Sequence, residues 1–151
     1  MFRELGPADA EACDAIIADL PAWFGHEQGI LDCAAAVRAH AGFVVTGADG
    51  EITGFITFEP REPGEAEITW MAVRADLRRT GIGRDLLDGL CARLIRDGVR
   101  SLLVKTLSDR DGPYEEYDQT RAFALAMGFE RVAELDIWGP ENPALLMAKP
   151  L

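Results

Sequence analysis

Three arginines, two glycines and a threonine crowd the ten residues RRTGIGRDLL, Arg78 to Leu87. Residues of these types, so spaced, suit anion binding. Glycines at 81 and 83 remove side chains, so a ligand can approach the backbone closely. Ile82, Leu86, Leu87, Leu90, Leu94 and Ile95 fall on one helical face, so the stretch opens a helix. A helix start leaves its first N–H groups without intrahelical partners and carries the positive end of the macrodipole. From Arg74 to Arg84 four arginines stand against one aspartate, in a chain whose net charge is −11. Phosphates above all are what such a turn holds. It is not a P-loop, because Gly83 is followed by Arg84 and Asp85 rather than by Lys and then Ser or Thr. It is not a dinucleotide fingerprint either, because Leu86 stands where a third Gly or Ala belongs. The plain alternative is a tight strand-to-helix turn with exposed arginines.

The elements around this turn follow from periodicity. Cys13, Ile16, Ile17, Leu20 and Trp23 give a first helix, and Ile30, Cys33, Ala34 and Val37 a second that ends before Gly42. FVVTG begins a strand, Ile52 to Phe58 alternates as its hairpin partner, and Glu67 to Val73 is a third strand, all three antiparallel. The long helix closes at Gly98, and Ser101 to Thr106 is a short buried strand after it. A loop with Asp111, Gly112 and Pro113 leads to a helix capped by Asp118 and closed by Gly128. Arg131 to Trp138 and Leu145 to Lys149 are the last strands, joined by GPENP. The predicted architecture is a mixed α/β single layer with helices on both sides.

With 151 residues, 48% of them hydrophobic, the expectation is one domain, 1–151, with a real core. The opening residues lack the continuous apolar stretch of a signal peptide, and no apolar run reaches the roughly 20 residues of a membrane span. Cys13, Cys33 and Cys91 are odd in number and lie in helical patterns. They read as reduced, buried thiols, and the expected location is cytoplasmic. His26 and His40 lie far from any Cys pair, so no zinc site is expected. The acidic balance repels nucleic acid and anionic membranes and suits a cationic or amine substrate.

Arg78-x-x-Gly81-x-Gly83, after WMAVRADL and at the head of an amphipathic helix, resembles the acyl-CoA signature of the GNAT N-acetyltransferase superfamily. That signature is Gln or Arg, two residues, Gly, one residue, Gly or Ala. FALAMGFE resembles the family's helix end, Phe-Tyr, three residues, Gly-Phe, and the order of elements agrees over the whole chain. The fold so implied is α/β (mixed α+β), with a central, mostly antiparallel, splayed sheet flanked by helices. The implied co-substrate is acetyl-CoA, with no metal. The backbone of Arg79, Thr80, Gly81, Ile82, Gly83 and Arg84 would wrap the CoA pyrophosphate, and the arginine side chains, Arg78 included, would add charge-assisted contacts. Met71, Ala72 and Val73 would splay from the next strand, Leu102 to Lys105, and pair with the pantetheine arm as if with an extra strand. A homodimer stays open, since similar proteins often pair through their sheets.

Moving an acetyl group to an amine needs a base, a holder for the oxyanion and a proton for the departing thiolate. Glu67 is the candidate base. It lies on the strand of the pantetheine contacts, eleven residues before Arg78, where similar protein-acetylating members place a glutamate. Strand alternation puts Glu67, Thr69, Met71 and Val73 on one face, beside an apolar channel. Glu65 competes for the role. The backbone N–H of Met71 or Ala72 could hold the oxyanion. The acid is where this chain departs from the pattern, because the usual tyrosine position is Ala124. Tyr114 and Tyr117 are the only phenols. Tyr117 is a cofactor or substrate contact and the remaining candidate acid, and water is the alternative donor. Trp23, Phe24, Trp70 and Trp138 read as core. The loop Trp138 to Pro143 could form a lip with Glu141 and Asn142 facing an amine, although a plain hairpin turn fits it better. The leading expectation is an acetyl-CoA-dependent N-acetyltransferase acting on a small-molecule or peptide amine. The alternative is an acyl-CoA-binding sensor without turnover.

Overall fold

The computed structural model describes residues 1–24, 27–110, 115–140 and 142–151. Its strands are β1 (Phe2–Glu4), β2 (Ala41–Thr46), β3 (Ile52–Pro60), β4 (Glu65–Val73), β5 (Ser101–Leu107), β6 (Glu130–Leu135) and β7 (Ala144–Pro150). They form one sheet in the order β1-β2-β3-β4-β5-β7-β6. Every neighbouring pair is antiparallel except β4 and β5, which run parallel on either side of a helical crossover. The helices are α1 (Ala10–Ala18), α2 (Glu27–Ala39), α3 (Ile82–Arg96) and α4 (Glu115–Ala126).

Alternation along the strands builds two cores. Leu86, Leu87, Leu90 and Leu94 of α3, with Ala124 and Met127, cover Phe43, Ile56, Ile68, Leu102 and Met147 on one face. Cys13, Ile16 and Ile17 of α1, with Cys33 and Val37 of α2, cover Val44, Phe55 and Ala72 on the other. Each fully buried Leu or Phe here contributes about 1.5–3 kcal/mol relative to leaving it in water. Gly54 fixes how closely α3 approaches the sheet. A Cβ there would lie 2.9 Å from Ile82 Cγ2 and 3.1 Å from Ala72 O.

The structure departs from the sequence expectations at several points. The strand β1 was not expected. Its residues are exposed, and it is held by pairing with β2 and by Phe2 stacked 4.7 Å from Phe43. The helix α4 starts at Glu115, so Asp118 lies inside it and binds Arg121 instead of capping it. The strand β6 ends at Leu135, before the exposed Ile137 and Trp138.

The most consequential departure lies within β4. Gly54 through Thr57 pair with Val73 through Trp70, but Phe58 pairs with Ile68, so Thr69 is an extra, bulged residue. A bulge reverses the alternation of faces. Met71 and Val73 therefore pack with Ile68 against the α3 and α4 core. Glu67, Thr69 and Trp70 line the opposite side, next to α2. The expectation that Glu67, Thr69, Met71 and Val73 share one face is corrected accordingly.

Candidate functional site

The β4–β5 ladder runs only from Glu65 with Ser101 to Ile68 with Val104. Beyond it β5 continues against β7, and β4 continues against β3 alone. Met71, Ala72 and Val73 thus have a free edge toward β5. It is one strand wide, and its backbone groups suit an extended, amide-bearing chain.

This edge leads directly to the start of α3. Arg79 holds a left-handed φ of +63° and Gly81 one of +93°. The Thr80 hydroxyl donates to Leu77 O at 2.6 Å and closes the turn. Among the described residues, none of the six backbone N–H groups from Arg79 to Arg84 donates a hydrogen bond within the chain. Left-handed backbone at a non-glycine residue costs about 1–2 kcal/mol, and such strain gathers where a ligand is held. The two glycines do different work. A Cβ on Gly81 would meet no protein atom within 4 Å, so that space is open to a ligand. A Cβ on Gly83 would lie 3.3 Å from Met71 and 3.5 Å from Phe123, so Gly83 serves packing.

The arginines divide in the same way. Arg74 pairs with Asp76 at 2.8 Å and with Glu51 at 3.1 Å. Arg78 leaves the turn and lies over the Trp23 ring, 4.1 Å from its centroid. Arg79 and Arg84 remain exposed and without an ion pair among the described residues, so both bring uncompensated positive charge to the turn. The Arg78 guanidinium is itself exposed and near enough to Arg79 to feel its charge. It joins the turn to the segment after α1.

Trp23 is the centre of that joint. Its indole Nε1 donates to Glu116 O at 3.0 Å, and the Tyr117 hydroxyl donates to Trp23 O at 2.8 Å. Burial, and after it the Glu116 carboxylate, push the Tyr117 phenol up from its ordinary value. Tyr117 therefore keeps its proton near neutrality and spends it on a carbonyl. Ala124, on α4 itself, is buried against the core, and its methyl group stands where the phenol would be.

On the other face of β4 a cavity of about 370 Å³ is lined by Glu67, Thr69, Trp70, His40 and Asp32, with alanines of α2. The seat of Glu67 is ionic, not apolar as expected. Its Oε1 lies 3.0 Å from Arg61 Nε and 3.2 Å from Lys105 Nζ. Its Oε2 accepts no hydrogen bond among the described residues. Arg61 also binds Glu59 at 2.9 Å, and Glu59 binds His40 Nε2 at 2.8 Å. Sequence reasoning brought Glu67, Thr69 and Trp70 to the right strand, put Glu67 and Thr69 on one face, and read Trp70 as core, against which it packs while also lining the cavity; it missed His40, Glu59, Arg61 and Lys105. Only the scarcity of histidine could have flagged His40. Of the expected lip, Asn142 and the exposed Trp138 do not line the cavity. Tyr114, Glu141, His26 and the Asp111–Pro113 loop lie outside the described residues.

A free strand edge, a positive and unsatisfied helix start and a carboxylate-lined cavity thus meet around one bulge. The fold that carries them is shared by solved structures. An acetyltransferase of the GNAT family from Staphylococcus aureus superposes with a TM-score of 0.81 at 14% identity, over 100% of this chain and 98% of that one. The ribosomal-protein-S18-alanine N-acetyltransferase of Escherichia coli gives 0.78 at 21%, over 99% and 92%. An aminoglycoside 6'-N-acetyltransferase complexed with coenzyme A gives 0.76 at 17%, over 99% and 96%. No curated protein matches the chain in sequence. The family model for the acetyltransferase (GNAT) family matches residues 10–129. The chain belongs to the GNAT family of acetyltransferases and is an acyltransferase.

Proposed function

We propose that this chain transfers an acetyl group from acetyl-CoA directly to a primary amine. The observation that carries this reading is the run of six N–H groups at the start of α3 with no partner among the described residues, continuous with the free edge of β4. The amides of Arg79 to Arg84, with the Arg79 and Arg84 guanidiniums, hold the diphosphate. The Met71–Val73 backbone holds the pantetheine arm and directs the thioester toward Thr69. Acetyl-CoA supplies an acetyl group already activated as a thioester. The backbone N–H of Met71 or Ala72 holds the oxygen on which negative charge develops. Glu67, through Oε2, receives the acceptor as its ammonium. Tyr117 braces the wall of the site, and water protonates the thiolate.

The acceptor class follows from the cavity and from the neighbours. Carboxylates at Asp32 and Glu67 favour a cationic amine. The named neighbours act on a ribosomal-protein alanine and on an aminoglycoside, which makes a peptide α-amine and an amino sugar the first candidates. The test is free-thiol release from acetyl-CoA in the presence of an alanine-initiated peptide, an aminoglycoside and a polyamine. Amine-dependent thiol release supports transfer. A second reading, an acyl-CoA sensor without turnover, is favoured by the buried Ala124 at the usual tyrosine position. CoA binding with no thiol release from any amine would support that reading.

A further inference from the structure

A chain of hydrogen bonds leaves the cavity beside Glu67 and ends on a histidine–carboxylate pair. Thr57 Oγ1 lies 2.7 Å from Thr69 Oγ1, Thr69 Oγ1 lies 3.0 Å from His40 Nδ1, and His40 Nε2 lies 2.8 Å from Glu59 Oε1. With a neutral imidazole this chain has one direction. A carboxylate only accepts, so Nε2 carries the imidazole proton. Nδ1 is then an acceptor, and the Thr69 hydroxyl donates to it. The Thr57 hydroxyl, fully buried, donates in turn to Thr69. A hydroxyl has one proton and two lone pairs, so Thr69 Oγ1 keeps one lone pair unused. Thr69 lines the cavity. It is also the bulged residue at which β4 parts from β5, where a thioester following the free edge arrives. The other charged groups around the cavity are Asp32 on α2, Arg61 after β3, Glu67 on β4 and Lys105 on β5. Glu67 is already bound to two cations, whereas the neutral Nδ1 has a lone pair reached through one hydroxyl.

We propose that His40, oriented by Glu59, is the proton sink for the acceptor amine, reached through the Thr69 hydroxyl. The assignment rests on the acetyl-transfer reading above and refines it, with Glu67 holding the ammonium by charge. The ammonium proton passes to Thr69 Oγ1 as the hydroxyl's own proton moves to His40 Nδ1. The resulting imidazolium is balanced by Glu59. The freed amine lone pair forms the N–C bond to the acetyl carbon, and the C–S bond breaks. The amine's second proton leaves by way of water, which protonates the thiolate. The imidazolium returns its proton to solvent. One ammonium and one thioester thus give one amide, one thiol and one proton.

Two measurements test the relay. In the first, long-range nitrogen–proton NMR of the imidazole reads the tautomer of the ring whose signals vanish in His40→Gln. The neutral ring is expected to carry its proton on Nε2, and a proton on Nδ1 overturns the relay. In the second, His40→Gln and Thr69→Val are compared with wild type, using acetyl-CoA and whichever panel amine releases most thiol. Each is expected to lower kcat by about 100-fold. The amine KM should stay within about threefold, which separates a lost proton route from lost binding. Thr69→Ser should restore most of the rate. A His40→Gln enzyme with wild-type kcat overturns the proposal. Each variant is also scanned for its melting-point rise with CoA, so a folding defect is not mistaken for a broken relay. No CoA-dependent rise in the wild type would instead overturn the transfer reading and the relay with it. If CoA binds but no panel amine reacts, the tautomer decides.

Discussion

At the scale of single residues, the proposed roles separate holding an amine, at Glu67, from deprotonating it, at His40. Glu67→Gln removes the charge that meets the ammonium but preserves the shape of the side chain. A charge-assisted hydrogen bond contributes about 1.5–3 kcal/mol, so the amine KM should rise by about tenfold or more while kcat changes little. Initial-rate kinetics check this, and a collapse of kcat at unchanged KM would return the base role to Glu67 itself. Tyr117 makes the opposite case. Its hydroxyl donates to Trp23 O. Tyr117→Phe should cost about 1 kcal/mol in denaturant unfolding and leave turnover within about threefold, because one neutral hydrogen bond is lost and no acid is removed. A 100-fold loss of kcat at unchanged fold would identify Tyr117 as the acid after all. Ala124 shows what residue types disclose directly. Its identity alone shows that the usual phenol is missing, and its burial shows that Ala124→Tyr would overpack the core, at about 1–3 kcal/mol.

At the scale of elements, the turn into α3 was legible and the bulge in β4 was not. Glycine, arginine and threonine spacing marked a helix start with left-handed turns at Arg79 and Gly81, because those residue types act through local backbone geometry. Thr69 carries no such mark. Its bulge arises from how β3 and β4 pair over their length, and one extra residue turned Met71 and Val73 to the other face. The salt bridges of Glu67 were equally hidden, since Arg61 and Lys105 lie on different segments that meet only in the sheet. The two glycines near α3 give separable predictions. Gly81→Ala places a methyl group where no protein atom lies within 4 Å. Stability should fall by only about 1 kcal/mol, the cost of a left-handed alanine. CoA affinity should fall by about tenfold or more, because the methyl enters the space left for the diphosphate. Gly54→Val, by contrast, drives against Ile82 and Leu86 and the backbone of Ala72, and should destabilise the chain by about 1–3 kcal/mol. Thermal unfolding read beside CoA titration distinguishes the two.

At the scale of the whole molecule, composition supported one domain and alternating periodicity supported its layers. The short strand β1 escaped because its three residues are exposed and carry no periodic signal. Its place comes from Phe2 stacking on Phe43 and lying against Gly89, which has no side chain to block the ring. The buried cysteines set a global pH response. Burial pushes the Cys13 and Cys33 thiols from 9.0 up to about 12. The unfolded chain ionises these thiols at lower pH than the folded one does. Stability should therefore be level below about pH 9 and fall as pH rises from there toward 12. Replacing both by alanine should flatten that fall in urea titrations at successive pH values. The same burial predicts that a thiol reagent at pH 8 modifies neither residue until the protein unfolds.

The central claim is that the backbone from Arg79 to Arg84 is a positive cradle for the diphosphate of CoA. Titrating CoA into isotopically labelled protein, with the amide resonances followed one by one, tests it most directly. Saturable shifts are expected, largest at these six amides and extending along Met71 to Val73. CoA that leaves these amides unmoved, or that shifts residues elsewhere instead, would contradict it.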